Sequence, residues 1–205
     1  MYTDVSGIIL SGGKSSRMGT DKALLKSGDV TIIQRLTKLM QSVFKEVFII
    51  TNTPEDYSFL NVPVYEDIIK HKGPLSGIHS GLVHSSKEKN FFISCDMPLI
   101  SAEFINYLIE YNSDKPAVYC IASGKRQYLA GVYKKRLLPE IENILTAGPT
   151  NSKKKENQFS IKNLLKNTEA EIIIAEKLPF FSENLFFNLN TPNDFEKLKQ
   201  ILLSQ

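Results

Sequence analysis

A glycine-rich segment near the start of the chain carries the residue types that bind anions. It spans residues 7–23, GIILSGGKSSRMGTDKA, in which a short apolar run leads into two consecutive glycines. Gly12 and Gly13 lack a Cβ, so their backbone can adopt positive φ and bring N–H groups close to an anion. The cations that follow are Lys14, Arg17 and Lys22. Because these charges offset those of phosphate groups, the segment is typical of a site that holds a nucleoside triphosphate.

The spacing within this segment excludes two commoner phosphate-binding loops. A Walker A loop requires the pattern G-x-x-x-x-G-K-[ST], and a dinucleotide-binding loop requires G-x-G-x-x-G. Neither pattern occurs in the segment. The absence of the second pattern argues against a dinucleotide-dependent oxidoreductase.

Ordered segments along the chain carry a resemblance to a known family. They are the glycine-rich segment, GPLSGI at 73–78, CDMP at 95–98 and NLNTPNDF at 188–195. In this order and at these separations, the chain resembles the molybdenum cofactor guanylyltransferases, which are nucleotidyltransferases that join an NTP-derived nucleotide to a phosphate acceptor. The commonest form of the first motif has Ala where this chain has Ser11. The segment RQYLAGVYKK at 126–135 is similar to a family segment that usually has Pro at the position of Tyr128.

The resemblance implies an enzyme that transfers GMP from GTP to the terminal phosphate of molybdenum-loaded molybdopterin and releases pyrophosphate. It also implies Mg²⁺ as the cofactor, with molybdenum insertion proteins and molybdoenzyme chaperones as candidate protein partners. The paired glycines and GPLSGI resemble the guanylyl branch, whereas the cytidylyl branch more often has Ala-Gly in the first motif. Two alternatives stay open: transfer of another nucleotide or to another acceptor, such as cytidylyl transfer or a sugar-phosphate acceptor, and non-catalytic binding of GTP or the cofactor.

The elements that must position these residues alternate between strands and helices. Apolar β-rich runs occur at 5–10, 47–50, 62–65, 91–94 and 117–121. Between the first two runs, a helical stripe is formed by Ile32, Ile33, Leu36, Leu39, Met40 and Val43. Runs such as FFIS and VFII are continuous, which is typical of a parallel sheet covered on both faces. The sequence therefore predicts a single α/β domain over 1–205, with the three-layer α/β/α, Rossmann-like nucleotidyltransferase fold and a mostly parallel sheet.

The last third of the chain is less regular. The sequence predicts a short helix at 160–166, strands at 171–175 and 185–189, and a closing helix at 192–203. The stretch 147–158, AGPTNSKKKENQ, has the composition of a loop. Its three consecutive lysines, Lys153 to Lys155, suit either a solvated charge run or a loop that closes over an anionic acceptor.

Ligands of parallel sheets gather beyond the carboxyl ends of the strands, where the glycine-rich turn and several polar residues fall. Asp96 follows the strand run FFIS, and its carboxylate is the expected ligand of Mg²⁺, which prefers carboxylate oxygen together with phosphates and waters. Lys22 is expected to contact the α- or β-phosphate, and Arg17 to offer a forked donor to the β- and γ-phosphates. We therefore predict Arg17, Lys22 and Asp96 as the catalytic residues.

The predicted nucleotide-binding residues also come from the ends of strands. They are Leu10, Ser11, Gly12, Gly13, Lys22, Asn52, Asp67 and Asp96. The resemblance implies that the aspartate at the position of Asp67 contacts the nucleotide. A carboxylate can accept two hydrogen bonds from the N1–H and amino group of guanine, or from ribose hydroxyls, so both contacts stay open. Glu66 is a competing acid.

Two asparagines form the predicted acceptor site. Asn188 and Asn190 lie two residues apart, so an extended segment turns them to the same side. By resemblance, one of them meets the metal or the acceptor phosphate, and we favour Asn190. The same segment is also a good helix start, with Thr191 as the cap and Pro192 at the first helical position.

Composition excludes several other functions. The 25 basic and 22 acidic residues give a net charge of +3, which is too small to indicate nucleic acid as a partner. With no signal peptide and no apolar run approaching about 18 residues, a cytoplasmic protein without membrane contact is expected. Cys95 ends an apolar run and is expected to be a buried hydrophobe rather than a nucleophile. The histidines, at 71, 79 and 84, lack the spacing of a metal triad.

Overall fold

The structure is a computed structural model that describes residues 1–12, 21–147 and 158–204. Gly13, Lys14 and Arg17 of the glycine-rich segment lie outside the described residues, and so do Lys153 to Lys155.

Strands and helices alternate through most of the described chain. The strands are β1 (Tyr2–Leu10), β2 (Lys26–Ser27), β3 (Val30–Thr31), β4 (Phe44–Ile50), β5 (Val64–Tyr65), β6 (Lys89–Ser94), β7 (Ala117–Ala122), β8 (Lys125–Lys134) and β9 (Ala170–Ile174). The helices are α1 (Ile32–Val43), α2 (Pro74–His84), α3 (Ala102–Glu110), α4 (Leu138–Thr146), α5 (Ile161–Asn167) and α6 (Pro192–Leu203). Short 3₁₀ helices lie at Lys22–Leu24, Pro54–Tyr57, Lys135–Leu137 and Ala175–Lys177.

Within the described residues, seven strands form one sheet in the order β5-β4-β1-β6-β8-β7-β9. β1 is an inner strand and pairs in parallel with β4 and with β6. The pairs β4–β5 and β7–β9 are also parallel, whereas β8 runs antiparallel to β6 and β7. The mostly parallel sheet predicted from the continuous apolar runs is therefore confirmed.

Two hydrophobic clusters cover the two faces of this sheet. Ile9 of β1 belongs to the cluster that contains Leu36 of α1 and Leu108 of α3. Its neighbour Ile8 points to the other face, where the cluster contains residues of α2, α4 and α5. Successive residues of a strand point to opposite faces, so β1 contributes to both cores. The structure confirms the predicted three-layer α/β/α arrangement.

Helix α1 begins where its sequence provides a cap. The Thr31 hydroxyl accepts from the Gln34 amide at 3.2 Å, and the Gln34 side chain accepts from the Thr31 amide at 2.8 Å. This reciprocal pair satisfies donors that the first turn of a helix leaves free. The predicted apolar stripe of α1 faces the core, with Met40 fully buried. The helix predicted between the first two apolar runs is therefore confirmed.

Strand β8 was not among the predicted strands. It follows β7 through a two-residue turn in which Ser123 and Gly124 have φ of 48° and 72°. Positive φ at both central positions is the geometry of a type I′ hairpin turn, which joins antiparallel strands tightly. The chain therefore reverses at this turn and places β8 between β6 and β7.

The prediction of a strand at 185–189 is wrong. The Leu185 amide donates to the Ser182 carbonyl at 3.0 Å, and the Phe187 amide donates to the Asn184 carbonyl at 2.9 Å. These bonds form turns, so the same amides are not available to a neighbouring strand. Leu185 and Leu189 are nevertheless buried, which explains why the segment has a strand-like apolar pattern. The closing helix predicted at 192–203 is confirmed by α6.

No helix in the described parts of the chain is both long and apolar enough to span a lipid bilayer.

Candidate active site

The carboxyl ends of β4, β1 and β6 meet at one edge of the sheet. Beyond the end of β1, the Ser11 amide donates to the Ile50 carbonyl of β4 at 2.9 Å. On the other side, the Cys95 amide donates to the Leu10 carbonyl at 3.0 Å. These bonds continue the sheet pairing by one residue, so the segments that begin with Ser11, Thr51 and Cys95 leave the sheet side by side. Gly12, Asn52 and Asp96 therefore lie along the same edge.

Gly12 does not use the positive φ that its lack of a Cβ permits. Its φ lies outside the positive range, and a Cβ built at this position would meet Asn52 Nδ2 at 3.9 Å as its nearest neighbour among the described residues. That separation is an ordinary van der Waals contact, so neither backbone strain nor crowding by the described residues requires glycine here. The bare face of Gly12 is exposed beside Asn52, which leaves room for a ligand to approach the backbone.

Asn52 and Asp67 form a side-chain pair next to Gly12. Asn52 Nδ2 donates to Asp67 Oδ2 at 3.0 Å. The other carboxylate oxygen, Asp67 Oδ1, is buried and has no hydrogen-bond partner among the described residues. Burial raises the pKa of Asp67, although the hydrogen bond from Asn52 lowers it in part. A buried acceptor without a partner is suited to a ligand that donates hydrogen bonds.

The loop that carries Asp67 is anchored to helix α2. The Ile68 amide donates to Ser80 Oγ at 2.8 Å, and the Ser76 hydroxyl donates to the Ile69 carbonyl. Gly73 precedes the helix with φ of 66° and ψ of −159°, a conformation that is essentially restricted to glycine. These contacts place Asp67 relative to α2.

Two glycines let α2 lie close to the sheet. A Cβ at Gly77 would come within 3.1 Å of Leu10 Cδ2, and one at Gly81 within 2.5 Å of Phe92 Cε1. Gly77 of the GPLSGI segment therefore allows close packing of α2 against β1, and Gly81, beyond the segment, allows it against β6. This packing supports the end of β1, from which Ser11 and Gly12 emerge.

Asp96 presents an uncommitted carboxylate oxygen at the end of β6. Asp96 Oδ1 is buried and has no hydrogen-bond partner among the described residues. Helix α3 does not use this carboxylate as a cap, because the Ser101 hydroxyl accepts from the Phe104 amide at 3.2 Å, as the sequence predicts. An orphaned carboxylate oxygen at the carboxyl edge of the sheet fits a hard cation such as Mg²⁺.

Among the described residues, no other protein ligands assemble around Asp96 into a complete metal cage. The described residues contain no group of three or more His, Cys, Asp or Glu side chains that could hold a metal ion. Mg²⁺ commonly uses one or two carboxylates and takes its remaining ligands from substrate phosphates and waters. The donor set at Asp96 fits that type of site.

The backbone of Asp96 also holds the segment with the two asparagines. The Leu189 amide donates to the Asp96 carbonyl at 2.8 Å. Asn190 then approaches the 3₁₀ helix at Lys22–Leu24, and Lys22 Nζ donates to Asn190 Oδ1 at 3.0 Å. The structure therefore brings Lys22, Asp96 and Asn190 together from separate parts of the chain.

The two asparagines differ in their contacts. Asn188 Nδ2 donates to the Phe186 carbonyl at 2.8 Å, within its own segment. After Asn190, Thr191 caps α6 by accepting from the Asp194 amide at 3.2 Å, so the predicted helix start is also present. The cap uses Thr191 and Asp194, which leaves the Asn190 side chain for Lys22.

Tyr57 and Asp21 belong to the site but were not assigned to it from the sequence. Tyr57 donates to Asp21 Oδ2 at 2.6 Å, and Ser11 Oγ lies 2.6 Å from the Tyr57 hydroxyl oxygen. Asp21 precedes Lys22 directly in the sequence, and its carboxylate contacts Tyr57. Tyr57 follows β4 in the short sequence PEDY, which offers no local pattern that indicates such a contact.

Cys95 is buried, as predicted. Burial raises the pKa of its thiol to about 12, which keeps the thiol protonated and poorly nucleophilic at neutral pH. The site therefore offers the Lys22 ammonium, the Asp96 carboxylate oxygen that has no partner among the described residues, and hydrogen-bonding side chains. These groups suit the positioning of anions and the stabilisation of added charge.

Comparisons with known proteins agree with this chemistry. Residues 7–159 match the family model described as the MobA-like NTP transferase domain. A relative from Carboxydothermus hydrogenoformans, named a probable molybdenum cofactor guanylyltransferase, is 37% identical over 195 residues, which are 94% of each chain. The molybdenum cofactor guanylyltransferase of Syntrophotalea carbinolica is 32% identical over 199 residues, which are 95% of this chain and 90% of the relative.

A solved structure supports the fold. The molybdopterin-guanine dinucleotide biosynthesis protein A of Archaeoglobus fulgidus superimposes with a TM-score of 0.82, covering 98% of this chain and 100% of that one at 19% identity. The match to the family model and the identities to the two relatives extend over most of the chain. The chain therefore belongs to the MobA-like NTP transferases, in the family of the molybdenum cofactor guanylyltransferases.

Proposed function

We propose that this protein transfers GMP from GTP to the terminal phosphate of molybdopterin that carries molybdenum. The products are the guanine dinucleotide form of the cofactor and pyrophosphate. The observation that carries the proposal is the convergence of Lys22, Asp96 and Asn190, which the 3.0 Å contact of Lys22 with Asn190 and the 2.8 Å bond of Leu189 to Asp96 bring together. The names of the relatives supply the nucleotide and the acceptor.

In this reaction an oxygen of the acceptor phosphate attacks the α-phosphorus of GTP. A new phosphorus–oxygen bond forms, while the bond from the α-phosphorus to the bridging oxygen breaks and its electron pair leaves with pyrophosphate. The protein must hold two anions in line and stabilise the negative charge that builds up. No covalent nucleophile is required, which agrees with the raised pKa of the buried Cys95 thiol.

Lys22 is placed to stabilise the phosphates. Its ammonium donates to a neutral amide oxygen of Asn190, so its positive charge is not neutralised by that contact. An anionic phosphate is a stronger acceptor than an amide and can share or replace this contact. Arg17 stays the predicted second cation on the phosphates and lies outside the described residues.

Asp96 is the residue that would hold Mg²⁺ in this proposal, because its Oδ1 is buried without a partner among the described residues. When bound, Mg²⁺ would supply positive charge to the phosphates as a Lewis acid. The carboxylate would also fix where the ion sits relative to β1, since the Cys95 amide just before it is bonded to the Leu10 carbonyl.

Guanine recognition is assigned in this proposal to Asp67 and the neighbouring main chain. Asp67 Oδ1 lacks a partner among the described residues, whereas Oδ2 is held by Asn52. An ionised carboxylate accepts from the N1–H and amino group of guanine, and cytosine lacks that pair of adjacent donors. Leu10, Ser11 and Gly12 would line the same side of the nucleotide. Gly12 has no side chain and would leave space for the nucleotide there.

The acceptor is assigned to the side of Asn188 and Asn190. Asn190 contacts Lys22, so an acceptor phosphate bound there would lie next to the nucleotide phosphates. The molybdenum insertion proteins and molybdoenzyme chaperones stay predicted partners of such an enzyme, and the cytoplasm stays its predicted location.

Pyrophosphate release by the purified protein with Mg²⁺ tests the proposal. GTP, CTP, ATP and UTP are each supplied with and without molybdenum-loaded molybdopterin, and the product is identified by mass spectrometry. We expect release with GTP only when the pterin is present. Pterin-dependent release with CTP would assign the protein to cytidylyl transfer. Binding of GTP without pterin-dependent release from any NTP would favour another acceptor or a binding role.

A further inference from the structure

We infer that Tyr57 is a positioning residue, which fixes Lys22 relative to the end of β1 through hydrogen bonds that run from Ser11 through Tyr57 to Asp21. The inference rests on the proposed function for its activity readout. Tyr57 and Ser11 are almost completely buried, so the bond between their hydroxyls is shielded from water, whereas Asp21 is partly exposed. Both oxygen–oxygen distances are 2.6 Å, at the short end for hydroxyl donors.

The direction of the bonds follows from the groups in the chain. An ionised Asp21 can only accept, so the single hydroxyl proton of Tyr57 goes to Asp21 Oδ2. The Tyr57 oxygen is then free to accept from the Ser11 hydroxyl. Burial and the bond to Asp21 raise the pKa of Tyr57, so its proton stays in place at neutral pH. The chain therefore has one favoured orientation.

The far end of the chain determines where Lys22 begins. Asp21 Oδ1 accepts from the Ala23 amide at 3.0 Å and caps the 3₁₀ helix that starts at Lys22. Both oxygens of Asp21 are thus used, one by Tyr57 and one by the helix. A shift of Tyr57 would move the cap and, with it, the main chain of Lys22.

The near end of the chain is attached to the nucleotide side of the site. Ser11 is bonded through its amide to the carbonyl of Ile50 in β4. Tyr57 itself ends the 3₁₀ helix Pro54–Tyr57, which begins two residues after Asn52. The hydroxyl of Tyr57 therefore connects the segment proposed to recognise the base with the lysine proposed to bind the phosphates. The separation between these two groups must match that of base and phosphates in one nucleotide.

Tyr57→Phe is the direct test, because it removes the hydroxyl and keeps the ring. Tyr133→Phe is the matched control, since Tyr133 is equally buried and its hydroxyl donates at 2.6 Å to the Tyr128 carbonyl, away from Lys22. Displacement of catalytic groups by about 1 Å can cost up to about 100-fold in rate. We expect Tyr57→Phe to lower kcat/KM for GTP by at least about tenfold, with both a higher KM and a lower kcat, and Tyr133→Phe to change it by less than about twofold.

A double-mutant cycle with Lys22→Ala shows whether Tyr57 acts through Lys22. We expect the loss from Tyr57→Phe to fall below about twofold in the Lys22→Ala background, because the group that it positions is gone. An equal loss in both backgrounds, or an equal loss from the Tyr133→Phe control, would overturn the inference. If Tyr57→Phe does not fold, Asp21→Asn tests the same link, because an asparagine oxygen can still accept from the Ala23 amide. We expect the same pattern for that variant.

Binding of a fluorescent GTP analogue separates this inference from the proposed function. The dissociation constant with Mg²⁺ is measured for the same variants, without any acceptor. If the unmodified protein binds the nucleotide but transfers nothing to the pterin, the proposed function fails and the binding cycle still decides the role of Tyr57. We expect weaker binding for Tyr57→Phe that again depends on Lys22, and additive effects would contradict the inference.

Discussion

Lys22 and Asn190 are 168 residues apart in the sequence, yet the Lys22 ammonium donates to the Asn190 side-chain oxygen across 3.0 Å. This contact joins the beginning of the predicted nucleotide site to the segment predicted to bind the acceptor. Asn188, two residues earlier, bonds to the Phe186 carbonyl instead. The two asparagines therefore have separate roles, one toward the site and one within its own segment.

Substitution of these asparagines separates the two roles. We expect Asn190→Ala to lower kcat/KM for the acceptor by about tenfold, through displacement of Lys22 and loss of a phosphate contact, with little change in stability. Asn188→Ala is expected to cost about 0.5–1.5 kcal/mol of unfolding free energy, because the Phe186 carbonyl loses its donor. Steady-state kinetics and thermal unfolding of the pair provide the measurement. A larger kinetic loss from Asn188→Ala would reverse the assignment.

Asp96→Asn is expected to abolish turnover and leave the fold intact. The amide keeps the size of the side chain but weakens binding of a cation, which supplies charge stabilisation worth several kcal/mol, or at least about 1000-fold in rate. Because Asp96 Oδ1 has no protein partner among the described residues, the melting temperature should change little. Turnover over a range of Mg²⁺ concentrations provides the measurement, with chelation by EDTA of the unmodified protein as the comparison. Near-normal activity would remove Asp96 from the mechanism.

The raised pKa of Asp67 predicts a pH-dependent KM for GTP. Burial makes the folded protein hold the Asp67 proton more tightly than the unfolded chain does, so protonation begins at a higher pH than for an ordinary aspartate. Only the ionised form accepts two hydrogen bonds from guanine, so KM is expected to rise as the pH falls through this pKa. Asp67→Asn should raise KM at neutral pH by about 10- to 150-fold, as loss of a hydrogen bond to a charged group costs about 1.5–3 kcal/mol. It should also remove the acidic rise.

Asp67→Asn is expected to stabilise the folded protein, although it weakens GTP binding. The raised pKa means that the folded state binds more protons than the unfolded state between the two pKa values, so stability falls as the pH rises through that window. Ionised Asp67 therefore destabilises the folded protein at neutral pH, and Asp67→Asn should raise the melting temperature there. The melting temperatures of the unmodified protein and of the Asp67→Asn variant, measured at neutral and at acidic pH, provide the test. A lower melting temperature at neutral pH would contradict this sign.

The thiols of Cys95 and Cys120 are expected not to react in the folded protein. Burial raises the pKa of each to about 12, so little thiolate exists at pH 8 and the sulfur is shielded. A colorimetric thiol reagent should detect both groups only after denaturation. Cys95→Ala should retain nearly full kcat, since no step uses the sulfur. Rapid labelling of the native protein that also inactivates it would contradict both expectations.

Local patterns in the sequence predict the elements that local interactions determine. Thr191 and Pro192 indicate the start of α6, and the helix begins there because a side-chain cap and a fixed φ act within a few residues. Asp96 is placed at the carboxyl edge of the sheet because the run FFIS before it is continuous and apolar. These features need no knowledge of distant contacts.

Contacts between distant segments explain what the sequence does not predict. Tyr57 looks like any aromatic residue in a short loop, and its partners Ser11 and Asp21 become neighbours only after β1 and β4 pair. The apolar residues at 185–189 have strand-like spacing, but their burial comes from two different hydrophobic clusters, which contain Leu185 and Leu189. The spacing of apolar residues indicates which residues are buried, and buried residues in a turn can have the same spacing as buried residues in a strand.

The bond from the Leu189 amide to the Asp96 carbonyl uses only main-chain atoms. The segment predicted to bind the acceptor is therefore attached to the predicted metal ligand by a link that survives side-chain replacement at either end. Replacing the Asn188 side chain is expected to leave the distance of the segment from Asp96 unchanged, whereas Asn190 has to be kept for its contact with Lys22. Variants with new acceptors are therefore best sought by varying 186–188, with Asn190 and the strand ends unaltered.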